Sequence, residues 1–241
     1  MRISVAPVPR GFAGCDADTG IIVVDVFRAS TTIAAALAAG ARFVLPVTDV
    51  EQAMRLAEPY AANEVLLGGE RECQRIEGFQ LGNSPREYTR EVVAGKVVIF
   101  TTTNGTQALA AAKDSGAVYI GSFVNFNVVA DAVAGRDKVT VICAGNNGQL
   151  SLEDFVCAGG LVARLAKKTA QLDDAALAAR AAYRALKDDL ARALASTEHA
   201  RRLADLGFRA DLDFALKIDS VPVVPRLHEG RIAGDGSGQV V

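Results

Sequence analysis

Asp25 closes the apolar run Ile21–Val24, Arg28 stands three residues further on, and Ser30, Thr31 and Thr32 follow at once. A carboxylate, a guanidinium and three hydroxyls in so short a stretch form a set suited to oxyanions. The guanidinium is a planar fork that matches phosphate or sulfonate oxygens. A helix starting among those hydroxyls adds unpaired backbone N–H groups and a partial positive charge. The same arrangement recurs downstream, where the strand-like Val97–Phe100 runs into Thr101, Thr102, Thr103, Asn104 and Thr106 before an alanine-rich segment. Either turn alone reads as ordinary helix capping, because Ser and Thr are common N-caps and threonine suits strands. Two of them, one carrying an Asp–Arg pair, point to a bound anion.

Two acidic loops make a second constellation. "GGERECQRIEGFQLGNSP" (68–85) holds Glu70, Arg71, Glu72, Arg75 and Glu77 behind two glycines, and "AGNNGQLSLEDF" (144–155) holds Glu153 and Asp154. Carboxylates clustered at a strand edge supply the hard oxygen ligands that Mg²⁺ takes, with water and substrate phosphate completing the shell. Asp25 is the strongest single candidate. Glu77 and Glu153 sit in apolar frames and are expected to be buried or liganding, whereas Glu72 reads as a solvated charge.

The elements that must position these groups form a repeat. A shift of 76 residues carries Gly40-Ala41 onto Gly116-Ala117, "FVLPV" (43–47) onto "YIGSF" (119–123), and "VLLGGE" (65–70) onto "VICAGN" (141–146). Residues 21–79 and 97–155 therefore read as two related β-α-β-α-β halves, with helices over 30–40, 50–60, 106–114 and 127–134. Alternating strands and helices imply an α/β fold with a mainly parallel sheet, helices on both faces, and strands buried on both sides. Right-handed crossovers would then place both polar turns at one carboxyl edge, where open α/β sheets bind ligands. After residue 155 the chain is expected to form helices, including a long one over 173–195 and another stopped by Gly207. "DLDFALKIDSVPVVPRL" (211–227) alternates like strands, and "EGRIAGDGSG" (229–238) reads as a glycine-rich tail. No linker composition interrupts residues 1–241, which implies a single domain.

Composition narrows the function classes. The 241 residues carry a net charge of −2, which offers no basic face for a nucleic-acid backbone. No apolar run approaches the roughly 18 residues of a membrane helix, and the start lacks the apolar stretch of a signal peptide. A cytoplasmic location follows as an expectation. Assembly into a homo-oligomer is compatible with the sequence. Four cysteines without a C-x-x-C pair and only two histidines suit a zinc site poorly. The chemistry must come from carboxylates, hydroxyls, amides and arginines.

Taken in order, "VDVFRASTTI", "GGER", "IEGFQLGNSP", "TTTNGT", "CAGNNGQLSLED" and "CAGGL" resemble the motif series of the 2-phosphosulfolactate phosphatase family, from Asp25 to about Gly160. The resemblance implies a three-layer α/β/α fold and Mg²⁺-dependent hydrolysis of (R)-2-phospho-3-sulfolactate to 3-sulfolactate and phosphate, a reaction of coenzyme M and sulfolactate metabolism. On that basis Asp25, Glu70 and Glu153 are the expected catalytic residues, and Asp25, Glu153 and Asp154 the expected metal ligands. Arg28, Ser30, Thr31, Arg71, Asn83, Ser84, Thr102, Thr103, Asn104 and Thr106 are the expected substrate contacts. Asp25-Val26-Phe27 lacks the second aspartate of the Asp-x-Asp phosphatases. That favours direct attack by water and leaves a phosphoenzyme on Asp25 as the alternative. Another small phosphorylated hydroxy acid as substrate, or a non-catalytic anion-binding role, are the competing readings.

Overall fold

The structure, a computed structural model, describes residues 1–234. The first half contributes β1 (Arg2–Ala6), β2 (Gly20–Val24), α1 (Ala29–Ala38), β3 (Phe43–Pro46), α2 (Val50–Ala57), β4 (Val65–Arg71) and β5 (Gln74–Arg75). The second contributes α3 (Arg90–Val93), β6 (Val97–Thr101), α4 (Gly105–Ala112), β7 (Ala117–Gly121), α5 (Phe126–Val133) and β8 (Lys138–Cys143). The remainder forms α6 (Leu152–Leu165), β9 (Gln171–Leu172), α7 (Asp174–Leu186), α8 (Leu190–Ala195), α9 (Glu198–Asp205), α10 (Arg209–Ala215), β10 (Pro225–His228) and β11 (Arg231–Gly234).

The strands join one mixed sheet in the order β5-β4-β6-β3-β11-β10-β7-β2-β8-β1-β9. Each half lends its first strand to the other. β6 lies between β4 and β3, and β2 lies between β8 and β7, all in parallel. Exchanging the halves reproduces the same order read backwards, so the strand pairing has an internal two-fold symmetry centred on the β10–β11 hairpin. The register is not the ungapped 76 of the sequence pattern. In the ladders Gly20 takes the place of Val97, while Phe43 matches Ala117 and Val65 matches Val139, so short insertions separate the copies.

One expectation changes here. The hairpin pairs antiparallel with both β3 and β7, so the two parallel blocks run in opposite directions, and β2 and β6 do not end at a common carboxyl edge of the ladder. Their turns nevertheless touch, as described below. The sheet must therefore twist and curl between them, as right-handed strand twist accumulated over several strands allows.

Alternation along the central strands explains the three layers. Ile21, Val23, Val98 and Phe100 face α1 and α4 on one side. Ile22 and Val24 face α5, α6 and α7 on the other, and Val97 and Ile99 pack towards α2. Helix α1 is buried over almost its whole length, which accounts for its small residues on every face. The C-terminal region departs from expectation. Residues 209–215 form α10, because Asp211, Leu212 and Ala215 turn inward at helical rather than alternating spacing. The long helix breaks at a 3-10 turn, Lys187–Asp189, into α7 and α8. Part of the supposed tail is strand β11, and residues 235–238 of it lie outside the described residues.

Helices α6 and α7 cross at Gly159, where an added Cβ would stand 1.9 Å from the Ala179 carbonyl oxygen. Backbone cannot yield as a flexible side chain can. Gly159→Ala should lower stability by about 2–3 kcal/mol in urea melts, whereas Gly135→Ala, with nothing within 4 Å, should not lower it.

Candidate active site

The first turn is shaped by its own polar groups. The Asp25 amide donates to Ser30 Oγ (2.9 Å), and Asp25 Oδ1 accepts from the Ala29 amide (3.1 Å). Thr31 Oγ1 donates to the Val26 carbonyl (2.9 Å) and meets Ser122 Oγ at 2.7 Å. Ser30 and Thr31 thus spend their hydroxyls on the turn, and neither lines the cleft described below. Arg28 does line it, although only 2% exposed. Its Nη1 donates to Asp211 Oδ2 (2.8 Å), its Nη2 donates to the Cys73 carbonyl (3.0 Å), and its guanidinium lies 4.2 Å from the Phe208 ring centre. Ser84 donates to the other oxygen of Asp211 (2.7 Å), so Ser84 fixes the arginine's partner.

In the second turn Thr102 and Thr106 cap each other, each backbone amide donating to the other's hydroxyl at 3.3 Å. The Thr103 amide donates to Glu70 Oε1 (2.7 Å), and Asn104 Oδ1 accepts from the Asn147 amide (3.0 Å). Helix α4 begins at Gly105, where nothing larger fits. A Cβ there would stand 2.5 Å from Ala29 Cβ and 2.7 Å from Asp25 Oδ2. The starts of α1 and α4 therefore meet, with the Asp25 carboxylate at their junction.

The other carboxylates are braced from behind. Glu70 Oε2 accepts from the Cys73 amide (2.7 Å), so this residue ties the second turn to the β4–β5 hairpin. Asp154 accepts from the Val26 amide (2.8 Å) and the Gly145 amide (3.1 Å), fastening the end of β2 to the end of β8. Glu153, 1% exposed, accepts from or shares a proton with His199 Nδ1 at 2.9 Å. Arg71 is tied to the Glu70 and Thr48 carbonyls and to Thr101 Oγ1, away from the cleft. Glu77 is exposed, against expectation, because the chain turns outward at Gly78 (φ +81°) while Phe79 packs into the core.

Burial pushes Asp25 up to about 6; the His199 charge and the Ala29 amide pull it down, and the Glu70 and Glu153 charges push it up again. Burial also holds Asp154 well above the usual carboxylate range, with the Asp25 and Glu153 charges adding to the effect. For His199 burial works against the charged ring, but its bonds to Cys73 and Glu153 and the charges of Glu153 and Asp25 outweigh it, lifting the ring up to about 10. The surrounding carboxylates thus favour the protonated ring. Cys143 and Cys157 are fully buried, and burial raises both thiols, which suits packing rather than nucleophilic attack.

These groups surround a cleft of about 250 Å³. Of the residues expected from the sequence, Asp25, Arg28, Glu70, Asn83, Thr102, Thr103 and Asn104 line it. Ser30, Thr31, Arg71, Ser84, Thr106, Glu153 and Asp154 stand behind them. The sequence reading missed His199, Arg202, Asn146 and Asn147, which also line the cleft, and Asp211 behind Arg28. His199 and Arg202 share one face of α9 at i, i+3 spacing, a signal available in "STEHARR" but indistinguishable there from a solvated helix face.

An α/β sheet protein whose cleft joins two oxyanion-type turns to a buried carboxylate and a carboxylate-paired imidazole is equipped for phosphate esters. The comparisons agree: residues 10–230 match the model of 2-phosphosulpholactate phosphatase, and the chain belongs to that family of phosphoric monoester hydrolases. It is 39% identical over 215 residues to a probable 2-phosphosulfolactate phosphatase of Caldanaerobacter subterraneus subsp. tengcongensis, covering 88% of this chain and 89% of the relative. It is 39% identical over 209 residues to one from Thermotoga maritima (87% and 89%), and over 214 residues to one from Symbiobacterium thermophilum (88% and 92%). No helix among the described residues is long and apolar enough to cross a membrane.

Because Asp25 has a raised folded-state pKa, its contribution to stability is greatest below its ordinary pKa of 3.8 and is lost as pH rises through about 6. Asp25→Asn should accordingly stabilise the protein in EDTA at pH 8, by up to about 3 kcal/mol, and bring little gain at pH 4. Thermal melts of both proteins across pH 4 to 8 check this.

Proposed function

We propose that this protein is a Mg²⁺-dependent phosphatase that hydrolyses (R)-2-phospho-3-sulfolactate to 3-sulfolactate and phosphate. The observation that carries the reading is the junction of the two helix starts at Asp25. It combines unpaired donors for a phosphoryl group with a carboxylate beside them. The amides of Asn104 and Gly105 make no hydrogen bond among the described residues, which leaves them free for oxyanion contacts. Arg28, His199 and Arg202 supply cationic charge around the cleft. Each is paired with a carboxylate, Arg28 with Asp211, His199 with Glu153 and Arg202 with Glu72, and Asp25, Glu70 and Glu72 line the same cleft, so a small ester bearing phosphate, sulfonate and carboxylate groups would rely on directed donors rather than on net positive charge.

The residues fit a magnesium ion. Asp25 Oδ2 has no donor among the described residues, and Asn83 Oδ1 is buried without a partner. Both are hard oxygens that a cation would satisfy, and Mg²⁺ takes one or two carboxylates with water making up the rest. Asp25 and Asn83 would hold the ion, which would neutralise charge on the phosphoryl oxygens. Glu153 and Asp154, engaged with His199 and with the Val26 and Gly145 amides, would support Asp25 from behind. The Asn104 and Gly105 amides and Arg28 would orient the phosphoryl group for attack by water.

Phosphate release from a panel of phosphorylated 2-hydroxy acids, with Mg²⁺ or EDTA, tests the reading. We expect release that is strongest with 2-phospho-3-sulfolactate, lost in EDTA and lost in Asp25→Asn. Full activity in EDTA would remove the metal from the mechanism, and a stronger preference for another ester would reassign the substrate. Arg28→Lys keeps the charge and loses the fork, so it should reduce transition-state binding by about 2–3 kcal/mol, read as kcat/KM.

A further inference from the structure

His199 has no part in the hydrolysis as outlined so far beyond its charge. Its Nδ1 is committed to Glu153 at 2.9 Å, and Glu153 is buried with no other side-chain partner among the described residues. That contact fixes the ring, as a carboxylate does for a histidine that must present its other nitrogen. Nε2 is left at the cleft wall, its only partner among the described residues being Cys73 Sγ at 4.0 Å. The Phe27 ring meets the imidazole edge-on at 6.4 Å and limits how it can tilt. Phe27 is also the residue two positions after Asp25, where the acid of an Asp-x-Asp phosphatase would stand. The chain has no acid there, but it brings an imidazole from α9 up against that phenylalanine.

We propose that His199, oriented by Glu153, is the general acid that protonates the leaving alkoxide. This rests on the phosphatase reading above and deepens it. Water oxygen bonds to phosphorus as the phosphorus–alkoxide bond breaks, and the bond's electron pair stays on the alkoxide oxygen. The proton on His199 Nε2 passes to that oxygen and gives the free alcohol. Both protons of the water leave with the phosphate, as dihydrogen phosphate, which returns one to the neutral imidazole. The sum is ester plus water to alcohol plus hydrogen phosphate, with the enzyme restored. Glu153 acts through His199 and is a positioning residue.

A general acid matters most when the leaving group is poor. The test compares 2-phospholactate with its 3,3,3-trifluoro analogue, which has nearly the same shape and a far more acidic leaving alcohol. Both are assayed with the full chain and Mg²⁺. His199→Gln should lose on the order of 10²–10³-fold in kcat on 2-phospholactate, the scale of general acid catalysis, and less than about a tenth of that loss on the trifluoro ester. Glu153→Gln, which leaves His199 itself in place, should show the same pattern in weaker form. Equal losses on both esters, or a raised KM with unchanged kcat, would overturn the proposal and reduce His199 to a binding charge. If the wild-type protein releases phosphate from neither these esters nor 2-phospho-3-sulfolactate, the phosphatase reading itself fails and takes this proposal with it. Circular dichroism melts establish that each variant is folded, and Glu153→Gln decides the matter if His199→Gln is not.

Discussion

Two helix starts meet at a single carboxylate, and the remainder of the molecule is arranged to keep them together. Each helix start carries partial positive charge, which offsets part of the cost of burying a carboxylate where the two meet. Asp25 is that carboxylate: one oxygen accepts from the Ala29 amide at the start of α1, and the other faces Gly105 at the start of α4. The contact is close enough that only glycine serves at position 105. The twist of the sheet, the buried length of α1 and the reciprocal Thr102–Thr106 cap all hold this junction in place.

The charges around the junction are poorly placed for stability and well placed for a ligand. Asp25, Glu70, Glu153 and Asp154 are all less than 10% exposed, and two of them are held above the usual carboxylate range. Backbone amides, rather than cations, satisfy most of their oxygens. The buried Arg28–Asp211 pair belongs to the same pattern. Its value lies in position more than in stabilisation, since desolvation offsets most of the attraction between buried ions. Phe208 below the guanidinium and Ser84 on Asp211 leave Arg28 little freedom to move.

Local chemistry was legible in the sequence, and long-range geometry was not. The strand–turn–helix character of both polar turns follows from apolar runs meeting hydroxyls, and the structure has it at Asp25 and at Thr102. The layers follow from strands apolar at every position, such as Ile21–Val24. The direction of the two blocks could not be read, because it depends on the β10–β11 hairpin, and the second of its strands lies in a segment whose glycines resembled a tail. Ser30, Thr31 and Thr106 carry hydroxyls that a ligand could use, yet a hydroxyl that caps a turn and one that binds a ligand are identical in sequence. His199 carries no such signal, because its partner Glu153 is distant in the chain and no local pattern distinguishes a histidine that will face a cleft.

The exchanged strands set the order in which the protein can be assembled. Apart from the short β4–β5 hairpin, the strands of the first half do not pair with one another: β3 and β4 both wait for β6, and β2 waits for β7 and β8. Gly20 finds its first partner at Ala117 and its second only at Val139, and β1 likewise needs β8. A chain emerging from the ribosome therefore carries unpaired apolar strands until residue 143 is free. Such non-local pairing makes folding slow and leaves sheet edges open to other chains in the meantime. The geometry that joins the two turns in the finished enzyme is also what delays the burial of its apolar strands until the second half has been made.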